Sequence, residues 1–401
     1  MASTGTALYP GASTFPGASV FPGQGTIPLF RLYASFSDYT TVEPVWTELS
    51  SRLRSISWTR GRNSELENFD AGTLTAVLDN RDRALDPSVA PTVTPMNQIM
   101  VFEEFDGSRQ SCIFAYSESW QQSWPGGGNF DAVATLSGSD HFKILSLASS
   151  PISGTTTLIK SALITILDAI QSKAPRRLDP NGTSRAVPTI TYSGASVGIL
   201  DIINQTVASD FGDLTASLFG INQAFFMARD GSAVWLSAAH RLAAPYISPA
   251  ATFGDGGGSE LPYLSLDLDD SDSFLSNSWT INGTAGSTDI SSDAASIARY
   301  GLRSNTRTVL YDLTTLSGVV ASQYVSKYKD PQQRVVSLSP NMADAATASA
   351  VFGLDLLDPI RILRTPPGGG ARIDETVYIQ RIEISATPGV PPTCRLGVSP
   401  L

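Results

Sequence analysis

Histidine is almost missing from this chain: 401 residues contain only His141 and His240. A serine-hydrolase triad or an imidazole-rich metal site would have to be built on one of these two. The sequence offers no Gly-x-Ser-x-Gly elbow and no His-Glu-x-x-His pair to accompany them. Cysteine is equally sparse. Cys112 and Cys394 lie far apart, form no Cys-x-x-Cys pair and sit in strand-like segments, so they read as small buried apolar residues rather than a redox or metal couple. Charged side chains make up only 16% of the chain and sum to −10, which excludes a sequence-independent grip on phosphates through Lys and Arg. There is no Walker loop and no Gly-x-Gly-x-x-Gly after a strand. No apolar run approaches the roughly 20 residues of a membrane-spanning helix, and no basic segment precedes an apolar one as in a secretory signal. The acidic run Asp267, Asp269, Asp270, Asp272 begins like a calcium loop, but aspartate stands where that loop needs glycine and Ser278 where it needs a bidentate glutamate. It reads as a solvated acidic loop. Glu103 with Glu104, and Glu65 with Glu67, are too close in sequence to speak for a glycosidase pair. No catalytic residue, cofactor or metal is expected.

The chain is rich instead in glycine and proline, 33 and 25 residues, with serine, threonine and β-branched residues throughout, a profile of β structure with many turns. Its length allows two or three domains with cores of their own. Residues 9 to 30 read YPGASTFPGASVFPGQGTIPLF and repeat with a period of six: Tyr9-Pro10, Phe15-Pro16, Phe21-Pro22 and Ile27-Pro28. Proline fixes φ and sends the preceding residue into extended space, and Pro-Gly suits a type II turn, so a helix is excluded. Six is a multiple of the strand period of two, which puts Tyr9, Phe15, Phe21 and Ile27 on one side of an extended chain. Residues 1–29 read as an arm that straps onto another surface, with a disordered Pro/Gly/Ser linker as the alternative.

Over 30–150 the pattern is mostly strand. RLYASF, RSISWT, GTLTAVL, QIMVFEEF, SCIFAYSESW and DAVATLSG are separated by turn residues such as Asp79-Asn80 and Asp106-Gly107, and an antiparallel β domain is expected. Over 151–290 the period changes. TTTLIKSALITILDAIQSK places Leu158, Ala162, Ile166 and Ile170 four apart on one helical face ended by Pro175, and a second helix is expected over Val197 to Val207. AFFMARDGSAVWLSA then forms a hairpin on Asp230-Gly231. The stretch from Ala250 to Asn282 reads as loop-rich. Over 291–401, Leu313, Leu316, Val320, Tyr324 and Tyr328 make one helical stripe stopping before Pro331. The strands RVVSLSP, PIRILRT, ETVYIQRIEISA and TCRLGVS follow, giving a second β domain with one helix. The expected fold is mainly β with an α+β middle.

The densest marking is WTRGRNSELENFDAGTLTAVLDNRDRALDP, Trp58 to Pro87. Arg60, Arg62, Arg81 and Arg83 could offer forked hydrogen bonds to Glu65, Glu67, Asp70, Asp79, Asp82 or Asp86. Charges of both signs around a hairpin fix register or dock a neighbour, and the four arginines are the interface candidates together with the arm residues.

That segment resembles the N-terminal signature of minor tail proteins of long-tailed bacteriophages, in which Arg-Gly-Arg, Glu-Leu-x-x-Phe, Ala-Gly-Thr and Asn-Arg-Asp-Arg-x-x-Asp-Pro follow one another. The likeness continues through LSGSDHFKIL, ASDFGD, ARDGSAVW, ASIARYGLRS, YKDPQQRVVSL and VYIQRIEIS. The resemblance implies a baseplate or tail hub: two tube-like antiparallel β domains flanking a helix-containing middle, three copies presenting six similar edges under the tail tube. The implied partners are the chain itself as a homotrimer, the distal tail protein, the tape measure protein and tail fibre or tip proteins, with DNA only in passage and the virion tail tip as location. The arm is similar to N-terminal arms of that family. The alternatives are the distal tail protein, a hexameric ring, and a cell-wall hydrolase. Relatives often carry a C-terminal extension with a fibre-like or enzymatic domain, and a chain stopping at Leu401 leads us to expect no hydrolase. After RIEIS relatives often carry His and Trp, where ATPGVPPTC has neither.

Overall fold

Alternating apolar residues between short turns build the strands of this chain, and the partners of those strands define the architecture. The computed structural model describes residues 27–39, 41, 43–105, 107–125, 131–149, 153–156, 158–170, 172–179, 190–193, 198–210, 223–238, 240, 243–270, 272–310, 312–315 and 318–400. Tyr9, Phe15 and Phe21 lie outside these residues. Ile27 lies inside them and is partly buried.

The N-terminal half is β1 (Leu29–Ser35), β2 (Trp46–Glu48), β3 (Leu53–Gly61), β4 (Asp70–Asp79), β5 (Gln98–Phe105), β6 (Ser108–Ser123) and β7 (Val133–Ser139), paired antiparallel in the order β3-β4-β7-β6-β5-β1-β2. All six expected strands are present. Their inward residues, among them Leu32, Ile56, Leu74, Leu78, Ile99, Ile113 and Leu136, are almost wholly buried.

The middle holds α1 (His141–Leu147), β8 (Ser153–Thr156), α2 (Ile159–Ala169), β9 (Arg176–Leu178), β10 (Ile190–Ser193), α3 (Ile199–Ala208) and the hairpin β11 (Ala224–Met227) with β12 (Ala233–Leu236). The two expected helices and the hairpin are there. The buried face of α2 is Ile159, Ala162, Leu163, Ile166 and Leu167, whereas Leu158, expected on it, is 44% exposed. Leu158 precedes the first helical residue, so the helical period does not govern where its side chain goes.

The remainder is β13 (Ala251–Gly254), β14 (Tyr263–Asp269), β15 (Ser278–Asn282), β16 (Thr288–Ser292), α4 (Ala294–Tyr300), β17 (Ser304–Thr308), α5 (Val319–Tyr328), β18 (Arg334–Pro340), α6 (Ala345–Gly353), β19 (Pro359–Arg364), β20 (Ile373–Ala386) and β21 (Thr393–Pro400). Three features differ from expectation. The loop-rich stretch 250–282 contains three strands, and Asp267 and Asp269 lie on β14 rather than in a loop. The last third carries three helices among the described residues, not one. The long stripe through Leu313 is broken, because Gly318 takes φ +78° at the N-cap of α5 and only Val320, Tyr324 and Tyr328 of that stripe belong to the helix. Leu313 is buried in a separate 3-10 turn.

Among the described residues 13 strands form one sheet, because β20 belongs to both halves. On one edge its first part, Ile373 to Tyr378, pairs with β19, and its last part, Arg381 to Ala386, pairs with β3. The other edge pairs with β21 from Val377 to Ser385. The partner changes at Ile379–Gln380, where a bulge interrupts the register with β21. Small sheets lie off this path, including β15 between β16 and β17, which packs on α5 through Trp279 stacked on Tyr324 with ring centroids 4.3 Å apart.

Candidate functional site at the junction of the two halves

The partner change in β20 is locked by the Arg-Gly-Arg triplet. Gly61 ends β3 with φ +117°, and a Cβ there would lie 2.1 Å from the carbonyl oxygen of Gln380, so glycine is required for the two backbones to approach. The next residue closes the contact. The Arg62 backbone N–H donates to the Gln380 carbonyl at 2.8 Å, and its side chain donates to Gln380 Oε1 at 2.7 Å and to the Glu67 carbonyl at 2.8 Å. The guanidinium also covers the Phe69 ring at 4.5 Å. Burial, with the nearby Arg307 charge, pushes the Arg62 pKa down to about 10, which leaves it charged at neutral pH.

Arg60 points into the joint between all three parts of the chain. Its Nη2 donates to the Met227 carbonyl on the middle hairpin at 2.9 Å and to Asp355 Oδ1, between α6 and β19, at 2.7 Å. Burial disfavours the Asp355 carboxylate, but the Arg60 charge and hydrogen bond more than offset this and hold its pKa below the usual range. Arg229 on the same hairpin donates to the Phe352 carbonyl.

Glu65, in the loop after Arg62, reaches the opposite side of the junction. Its Oε1 accepts from the Tyr328 hydroxyl at 2.6 Å and from Arg334 at 3.1 Å, with Lys327 at 3.4 Å. Burial works against its charge, and Lys327, Tyr328 and Arg334 outweigh it, so the Glu65 pKa is lowered.

The second half of the marked segment behaves differently. Arg81 pairs with Asp79 of its own turn and is 65% exposed. Arg83 donates to Asp86 Oδ2 at 2.9 and 2.7 Å from a left-handed conformation, φ 59°. Asn80 Oδ1 accepts from the Leu85 N–H at 2.8 Å and Leu85 is buried, so Asn-Arg-Asp-Arg-x-x-Asp-Pro is a turn folded on itself. Sequence reasoning treated the four arginines as one cluster; the fold divides them into a buried pair at the junction and an exposed pair on the surface. Asp355, Gln380 and Arg334, which help complete the junction, were not singled out, because nothing local marks them, and Tyr328 was marked only as part of a helical stripe.

Both histidines are buried. His141 Nε2 meets Ser172 Oγ at 2.8 Å, and burial, together with Arg176, pushes its pKa down to about 4. Its Nδ1 has no hydrogen-bond partner among the described residues, so no carboxylate orients the ring toward that serine. Asp140, its neighbour, instead caps α1 through the Phe142 N–H and accepts from the Gly72 N–H. His240 Nδ1 bonds the Ser237 carbonyl at 2.7 Å. Cys112 and Cys394 are free and buried. Among the described residues no three His, Cys, Asp or Glu side chains are grouped to hold a metal, and no helix is long and apolar enough to cross a membrane.

Neither a protein-family model nor a curated protein matches the chain. Solved structures do. The tail protein from Neisseria meningitidis MC58 superposes with a TM-score of 0.61 at 12% identity, over 93% of this chain and 96% of that one. The 43 kDa tail protein of prophage MuSo2 from Shewanella oneidensis gives 0.53 at 10% identity, over 92% and 95%. Both of these structural neighbours are tail proteins, the second from a prophage. At such identities the likeness shows a common fold, and it runs nearly end to end through both halves and the junction.

Proposed function

We propose that this chain is a structural subunit of a phage tail and, within it, the hub adaptor at the tail tip that joins the tube or distal tail ring to the tip and fibres and forms part of the DNA channel. The observation that carries the reading is the fold shared with a tail protein over 93% of this chain and 96% of the other. Two β halves sharing β20 support the idea that three copies offer six similar edges to a six-fold ring. The balance of −10 supports a wall past which DNA slides, since a lumen of Lys and Arg would hold phosphates by counterion release. The partners in this reading are two further copies, the distal tail protein, the tape measure protein and fibre or tip proteins. The chain divides as arm 1–29, β domain 30–150, middle 151–290 and β domain 291–401, and it has no catalytic role. Arg81, Arg83 and the arm make assembly contacts, with Tyr9, Phe15, Phe21 and Ile27 strapping onto a neighbouring subunit. Imaging the intact tail tests this. Three copies around the axis at the tip are expected; six copies would make the chain the distal tail ring, and a lumen lined mainly by Lys and Arg would overturn the charge argument.

A further inference from the structure

Two apolar hollows lie on neighbouring stretches of β3 and β20. The smaller, about 420 Å³, is walled by Pro28, Leu29 and Phe30, the root of the arm, with Ile56 and Ala386. The larger, about 690 Å³, is lined by Trp58, Leu264, Met342, Ile384 and Cys394 among others. The turn between β20 and β21 contributes Pro388 and Gly389 to the first and Pro391 and Pro392 to the second. On the larger hollow's rim Leu264 is 73% exposed, and Val390 of the turn is 54% exposed. Large aliphatic side chains held open beside a hollow mark a surface that takes an apolar partner.

The charges at this rim say which kind. Glu383 is already paired with Arg381 at 2.6 Å, and Arg395 lies 3.4 Å from Asp267 and 3.2 Å from Ser337 Oγ. An occupant therefore needs no charge, and a charged one would meet groups already engaged. Residues 1–28 contain no charged side chain at all. Pro28, the last of them, lines the smaller hollow. Twenty-six residues precede Ile27, an extended reach on the order of 85 Å, and anchors six apart are separated by about 20 Å. Proline at every repeat restricts the free arm, which lowers the ordering cost of docking.

We propose that the larger hollow is the seat for the arm of a second copy of this chain, with Phe15 or Phe21 as the side chain that enters it. The proposal rests on the homo-oligomer reading above and names the surface that the strap uses. Full-length protein carrying benzoylphenylalanine at position 15 or 21 tests it, prepared as a mixture of 15N-labelled and unlabelled copies, irradiated and mapped by mass spectrometry. Mixed-label cross-links to Leu264, Met342 or residues 391–395 are expected. Cross-links within one copy, or only outside the hollow, overturn the proposal. Leu264→Asp puts a charge in the seat at an exposed position that the fold does not need, so cross-linking is expected to fall about tenfold with the melting temperature unchanged; an unchanged yield overturns it. Native mass spectrometry of the same sample separates the two readings. A monomer removes the homo-oligomer and this proposal together, whereas an oligomer without cross-links in the hollow removes this proposal alone.

Discussion

Gly61 carries more of this fold than its missing side chain suggests. An alanine there would keep φ near +117° and place its Cβ 2.1 Å from Gln380 O and 2.7 Å from Arg381 Cα, both main-chain atoms that cannot swing aside. Gly61→Ala is expected to cost about 3 kcal/mol or more, read as a lower urea midpoint at unchanged slope. Glu65 is the second sensitive residue, because Arg334 and Tyr328 are buried against it. Glu65→Gln leaves the Arg334 charge without its carboxylate and is expected to cost about 3–5 kcal/mol at neutral pH. Its pH dependence has a definite sign. The folded Glu65 pKa is lowered, so its contribution is full above the ordinary carboxyl value near ~4.3 and is lost as pH falls through the folded value. Denaturation curves should show wild type and Glu65→Gln far apart at neutral pH and converging below about pH 4. The importance of Arg60 and Arg62 was legible as a pattern of charges and glycine. Their partners were not, since Asp355 and Gln380 are about 300 residues away in sequence, and Arg62 found a neutral amide where a carboxylate was expected.

The strands of residues 30–150 and the last four of the chain were readable because a half-buried strand alternates every second residue and its turns announce themselves, whereas β13, β14 and β15 lay in a stretch read as loop-rich. Three short helices were missed, yet each has a signal at its start. Asp140, Asp293 and Asp344 cap α1, α4 and α6 by accepting the N–H of Phe142, Ser296 and Thr347, and an aspartate before at least seven residues without Pro or Gly was the available clue. For α5 no such clue exists. Its cap comes from β16: Asp289 accepts from the Gly318, Val320 and Ala321 N–H groups and is fully buried. Asp289→Ala would strand all three donors against the stacked pair Trp279 and Tyr324. We expect a loss of about 2–4 kcal/mol, together with a fall in near-ultraviolet circular dichroism from that pair.

Across the molecule, buried carboxyls oppose the surface ion pairs. Burial pushes Glu103 up to about 8, Asp140 up to about 7 and Asp358 up to about 6. These groups stay protonated in the folded chain where the unfolded chain has ionised, so their contribution is full below about pH 4 and is lost as pH rises to these values. Stability is therefore expected to peak on the acid side of neutrality. Glu103→Gln should remove about 1–3 kcal/mol of the decline toward pH 8, measured by urea denaturation across the range. The divided arginines give the corresponding test of assembly. Arg62→Glu should lower the melting temperature of the isolated chain, because it buries a like charge in the junction. Arg81→Glu should leave that temperature unchanged while reducing incorporation into tails. Incorporation equal to wild type would remove Arg81 from the proposed interface.

Much about this protein is local and was readable from the order of its residues. Period-two alternation placed the strands of residues 30–150 and the last four strands of the chain, and a four-residue spacing marked α2. Those properties depend on neighbours a few positions away. The pairing of β20 with β19, β3 and β21, the burial of Arg60 and Arg62 but not Arg81 and Arg83, and the capping of α5 from β16 depend on contacts between residues tens to hundreds of positions apart. A strand's alternation says which face is buried but not which edge it joins. That choice belongs to the packed chain, where one glycine with positive φ lets two backbones meet and every buried charge must find a partner.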